Sequence, residues 1–144
     1  MIVDMEVLVF ESREGARVSF HSRQVDATGC LESYAVDVAA EGLSATAWVA
    51  NPGWSHPPSQ LFDELASNWA GWKRAQRWHS AEGELQITAT MDATGHVTLS
   101  FELPASTTSS VWSAVVRVRT EAGRLESLAE GARRFFLKTG SPLS

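Results

Sequence analysis

The stretch Leu85-Gln86-Ile87-Thr88-Ala89-Thr90-Met91-Asp92-Ala93-Thr94-Gly95-His96-Val97-Thr98-Leu99-Ser100-Phe101-Glu102-Leu103 reads as two strands and the turn that joins them. Leu85, Ile87, Ala89 and Met91 fall on every second residue, Val97, Leu99, Phe101 and Leu103 do the same, and Asp92-Ala93-Thr94-Gly95 supplies the hairpin turn. Such an alternation puts the apolar side chains on one face of an antiparallel pair and the polar ones on the other. The rest of the chain must therefore fit a half-buried sheet.

Working outward, the same period of two appears in Val3, Met5, Val7 and Val9, then in Ala16, Val18 and Phe20 after a turn at Glu14-Gly15. A looser connection holding Asp26, Gly29 and Cys30 leads to Tyr34, Val36, Val38 and Ala40, and Gly42 separates these from Leu43, Ala45, Ala47 and Val49. These are four strands in two hairpins. Asn51-Pro52-Gly53 and Pro57-Pro58 break the pattern, because proline lacks a donor and fixes φ. Leu61, Phe62, Leu65, Trp69 and Trp72 then recur at helical spacing, predicting an amphipathic helix over about 58–72. Beyond the quoted hairpin, the Ser/Thr-rich stretch 105–110 reads as a loop. Trp112, Ala114, Val116 and Val118 form a last strand, and Leu125, Leu128, Ala129, Ala132 and Phe136 give a helix over about 121–138, with Gly140 as its stop.

The predicted fold is α+β: a mainly antiparallel sheet of about seven strands in the order ββββ-α-βββ-α, with two amphipathic helices packed on one face. By this reading there is no internal repeat and no domain boundary, so residues 1–144 form a single domain. A chain of 144 residues with 44% apolar and 20% charged residues has the length and composition of one ordinary globular core.

The elements Trp69-Ala70-Gly71-Trp72, Trp78-His79-Ser80 and Asp92-Ala93-Thr94-Gly95-His96-Val97, together with Trp112, resemble a family of uncharacterised small bacterial proteins of actinobacterial type. In that family a helix ending in Trp-x-Gly-Trp precedes a hairpin that closes with Gly-His-Val. The resemblance implies the same order of elements and brings no assigned activity with it.

Charge and cysteine content narrow the setting. Twelve basic residues against seventeen acidic give a net charge of -5, which argues against nucleic acid and fits a basic protein partner or a small ligand. The single cysteine, Cys30, can make no intrachain disulfide, and nothing beside it in sequence supplies a cation to activate the thiol. The opening Met-Ile-Val-Asp-Met-Glu has acids in its apolar stretch and no basic residue before it, and no later run reaches membrane length. A cytoplasmic location without a membrane anchor is the expectation.

No His-x-x-x-His, Cys-x-x-Cys or nucleophile-elbow pattern is present, so any site must be assembled by the fold, and no metal or cofactor is called for. Alternating strand directions, with a helix of ~22 Å running the length of the sheet, gather Asp26, Cys30, Asn51, Trp54, His56, Asp92 and His96 at one rim. Two histidines, two acids and a thiol suit acid/base work, with His56 and His96 as candidate catalytic groups and Asp92 orienting them. The plainer alternative is that these are ordinary polar loop residues, Asp92 and His96 bonding their own turn. At the other end Trp72, Lys73, Arg74, Arg77, Trp78 and His79 form a basic, aromatic cluster able to meet bases or phosphate, or simply to complement a helix C-terminus.

Six tryptophans exceed what a core of this size needs. Trp69 and Trp112 are assigned to buried stripes, whereas Trp48 is out of phase with its strand and Trp54 lies in a loop. Exposed tryptophans mark binding surfaces, and the polar sheet face would set Trp48 beside some of Arg17, His21, Asp37, Thr88, Thr98, Glu102, Arg117 and Arg119; a covering loop is the other explanation. Trp48, Trp54, Asp26 and Cys30 are thus the candidate binding residues. The leading functional expectation is a non-enzymatic, cytoplasmic protein-interaction module, possible as an immunity-type protein or a homodimer. The alternative is a small-molecule-binding protein or a metal-assisted hydrolase using the loops at one end of the sheet.

Overall fold

The structure, a computed structural model, describes residues 2–3, 6–104 and 111–137, with only the backbone of 2–3. The fold is α+β with antiparallel sheets, and its strands divide between two sheets rather than one. In the first, β1 (Ile2–Val3) and β2 (Leu8–Glu11) pair with opposite ends of β3 (Arg17–Val25), which is followed by β4 (Leu31–Ala40) and β5 (Leu43–Ala50). The second is the meander β6 (Gln76–His79), β7 (Gln86–Met91), β8 (His96–Pro104) and β9 (Ser113–Glu121). Helix α1 (Ser59–Ser67) leaves the first sheet, and α2 (Leu125–Phe136) leaves the second through a 3-10 turn at Ala122–Arg124.

Both halves thus share a plan, a three-strand meander (β3–β4–β5 and β7–β8–β9) with an added edge and a following helix, the edge being two short strands in the five-stranded first sheet and β6 in the four-stranded second, which corrects the expectation that the chain has no internal repeat. The signature is Asp-Ala-Thr-Gly, at 26–29 between β3 and β4 and again at 92–95 between β7 and β8. The two turns share their bonds: Gly29 N–H to Asp26 O at 3.0 Å and Gly95 N–H to Asp92 O at 3.2 Å, with φ of 86° and 83° at the glycines. Only glycine takes such angles without a Cβ penalty. The registers also correspond, Phe20–Val36–Ala47 across the first sheet matching Ile87–Phe101–Val116 across the second.

Inward-facing residues of both sheets and both helices enter one buried cluster, while the alternate residues of each sheet point outward. All six phenylalanines and the sole tyrosine meet at its centre: Phe10 stacks on Phe62 at 5.2 Å and tilts against Phe101 at 5.3 Å, and Phe20 meets Phe136 edge-on at 5.4 Å. These rings bridge both sheets and both helices, so the two repeats share one core.

The helices pack on each other, and an Arg133–Asp63 ion pair crosses between them. The C-terminus of α2 is held by Arg23, whose register the sequence pattern obscured. The β3–β4 ladder shifts between His21 and Gln24, Ser22 adopts φ 55°, and Arg23 turns inward to 1% exposure. Its Nη1 donates to the carbonyls of Phe135 at 3.0 Å and Arg134 at 3.4 Å, placing positive charge at the helix's negative pole. The loop expected at 105–110 and the helix stop at Gly140 lie outside the described residues.

Candidate functional site

Strand directions sort the loops to two ends of the molecule. At the first end stand the Asp26–Cys30 turn, the end of β5, and the turn between β6 and β7. Asn51 Nδ2 donates to Leu31 O at 2.9 Å, beside Cys30. Ala50 N–H donates to Glu84 Oε2 at 3.0 Å, and Ser80 Oγ donates to Glu84 Oε1 at 2.6 Å, so Glu84 ties the two sheets together. Tyr34 lies buried near it, and burial first, then the Glu84 charge, push its hydroxyl well above the ordinary tyrosine range. His56 belongs here too, because its carbonyl accepts the Trp78 indole N–H at 2.8 Å.

His96 and Asp92 are at the other end. Trp78 pairs with Ile87 and Ile87 with Phe101, five residues along β8 from His96, a separation of ~17 Å by strand rise alone. The structure therefore keeps Asp26, Cys30, Asn51 and His56 on one end but does not bring His56 to His96 or Asp92. The physical reason is β6. Its four residues bury no side chain fully and show no apolar alternation, so the sequence pattern passed over them. An extra strand reverses the chain once more, and the helix before it starts at the opposite end from the one expected.

Asp92 and Asp26 do the same work in their turns. Asp92 Oδ1 accepts from Thr94 Oγ1 at 2.7 Å, Thr94 N–H at 2.9 Å and His96 N–H at 3.0 Å. The Thr94 hydroxyl bond, then the His96 amide bond, lower the carboxyl to about 2. Asp26 Oδ1 accepts from Thr28 Oγ1 at 2.6 Å, Thr28 N–H at 2.8 Å and Cys30 N–H at 3.0 Å, and its carboxyl is lowered for the same reasons. His96 Nδ1 lies 2.7 Å from Thr94 Oγ1. Cys30 is exposed. A groove of about 370 Å³ beside His96 is lined by Arg13, Arg119 and Arg124, but also by Glu11 and Glu121. Among the described residues, no three His, Cys, Asp or Glu side chains are grouped to hold a metal ion.

None of the tryptophans is buried. Trp54 is 78% exposed, Trp69 64%, Trp48 55% and Trp112 43%, while Trp72 and Trp78 are half-buried and donate their indole N–H groups to backbone carbonyls. Trp69 and Trp112 thus leave the buried stripes assigned to them. Helix α1 stops at Ser67, its last carbonyls taken by Asn68, so Trp69 falls beyond the apolar face, and Trp112 precedes the first residue of β9.

Trp48 stands on the outer face of the first sheet, next to Ala35 and in the row that continues to His21. In the adjoining row Asp37 receives His21 Nε2 at 2.8 Å and Thr46 Oγ1 at 2.7 Å, and His21 Nδ1 lies 2.9 Å from Ser22 Oγ. Of the neighbours expected for Trp48, Arg17, His21 and Asp37 share its face, whereas Thr88, Thr98, Glu102, Arg117 and Arg119 occupy the outer face of the second sheet. The inward Arg23 and the Glu84 tie were missed in the sequence. Arg23 has a faint signal there, as a cation two residues before Val25 on the buried parity of β3.

Among the described residues no helix is long and apolar enough to cross a membrane. No curated protein and no solved structure matches the chain. The chain belongs to the family of unknown function DUF6228, which matches residues 9–139.

Proposed function

We propose that this chain is a non-enzymatic, cytoplasmic protein-interaction module whose partner is a basic protein, in the manner of a small acidic immunity protein. The observation that carries this reading is the division of the aromatics: every phenylalanine and the tyrosine are buried in the core, whereas no tryptophan is buried and four of the six, Trp48, Trp54, Trp69 and Trp112, are exposed. Tryptophan is the costliest side chain to leave in water and the one most enriched at binding hot spots. Trp48 on β5 and Trp54 just after it would be the anchors. Asp26, Glu32 and Glu82 lie on segments at the end of the molecule where β5 finishes, as does exposed Cys30. The groups named for acid/base chemistry lie at opposite ends, which leaves that alternative without an assembled site.

The test is affinity capture with immobilised wild type, a Trp48→Ala/Trp54→Ala double variant, and Asp92→Asn as a control at the far end. The expected outcome is one basic protein retained equally by wild type and control, with affinity for the double variant lower by about 30-fold or more and its circular dichroism unchanged. An identical set of captured proteins on all three would contradict the proposal.

A further inference from the structure

The two repeats share a backbone plan, and their outer faces have diverged. The row His21–Ala35–Trp48 across the first sheet corresponds to Thr88–Ser100–Arg117 across the second, which β6 extends with Arg77. The position that carries an aromatic in one repeat carries a cation in the other. The next row of the second sheet is Thr90–Thr98–Arg119. On the first face His21 and Thr46 bond to Asp37, and Arg17 Nε donates to Ser19 Oγ. On the second, Arg77, Arg117 and Arg119 have no carboxylate within ion-pair distance among the described residues; these two rows hold no acid, and Glu102 and Glu121 stand on the rows to either side. A protein of net charge -5 thus presents, across the middle of this sheet face, a strip that is cationic and hydroxyl-lined.

We infer that the outer face of the second sheet is a second docking surface, and that its occupant is an acidic segment of a partner protein. The side chains of Arg117 and Arg119 point the same way two residues apart, ~6.6 Å, which is also the spacing of alternate residues in an extended peptide. Thr88, Thr98 and Ser100 between the arginines offer hydroxyls to a carboxylate or a peptide backbone. Nucleic acid fits the face less well. A polynucleotide carries a dense, continuous charge that would overrun the face onto Glu11 and Glu121 at its border, and β7 and β8 present no aromatic ring for bases to stack on.

Fluorescence anisotropy decides the matter, with three labelled probes: a twelve-residue Glu/Asp-rich peptide, its Gln/Asn counterpart, and a twelve-nucleotide single strand. The full chain should bind the acidic peptide, ignore the neutral one, and lose about tenfold or more in affinity between low and 0.3 M salt. Arg117→Glu/Arg119→Glu should abolish binding, Arg77→Glu from the opposite edge should weaken it, and Trp48→Ala/Trp54→Ala should leave it intact, which separates this surface from the tryptophan surface. Tighter binding of the oligonucleotide than of the acidic peptide would overturn the inference, as would failure to bind the peptide or binding that survives the double charge reversal.

Discussion

Asp92 holds its turn by accepting three hydrogen bonds on one oxygen, and this has a measurable pH signature. Its carboxyl sits at about 2 against an ordinary 3.8, so the folded protein favours the carboxylate form. The resulting stability is complete above pH ~4 and is lost as pH falls through ~2. Asp92→Asn should therefore flatten the dependence of the melting temperature on pH between 4 and 2, leaving a residue of slope that Asp26 supplies through its equivalent turn. Melting curves of variant and wild type that stay parallel over that range would show that the carboxylate does not hold the turn. The sequence already suggested this role for Asp92, because Asp two residues before Thr in a Gly-closed turn is a recurring local bond. The separation of His56 from His96 was not readable in the same way, since it depends on how many times the chain reverses between them.

At the scale of elements, alternation located most strands, but it took the wrong phase at β2, where Leu8 and Phe10 rather than Val7 and Val9 are buried, and it failed at β6, where only Trp78 is apolar and the strand lies at a sheet edge. It also missed the break in β3. The shift at Ser22 moves Arg23 onto the buried side, and nothing in a period of two announces it. Arg23 then does for α2 what a local cap does elsewhere, at a site where water cannot substitute. Arg23→Met should cost roughly 2–4 kcal/mol in denaturant unfolding, since it strips the donors from two carbonyls of a buried helix end. Arg133→Met removes the α1–α2 ion pair, which is two-fifths exposed on both sides, and should cost under about 1 kcal/mol. Equal losses for the two variants would mean that Arg23 is merely filling space.

For the whole molecule, the four-letter repeat Asp-Ala-Thr-Gly was visible in the sequence and too short to be decisive alone; the paired meanders β3–β4–β5 and β7–β8–β9 give it meaning. Two copies of one unit share an aromatic core, and each leaves an outer face free to acquire its own chemistry. One face carries Trp48 and the other Arg117, and the loops at one end carry Trp54 as well as acids. Both proposed surfaces depend on the course of the chain through β6, which sets Cys30 and the β6–β7 turn at one end and His96 at the other. Because Cys30 is the sole cysteine and is exposed, paired spin labels can read that course directly. A label at Cys30 with a second at Glu82→Cys should lie under about 20 Å apart, and with one at His96→Cys about 25 Å or more, the length of a strand. A short distance from Cys30 to position 96 would contradict the chain path and, with it, the assignment of both surfaces.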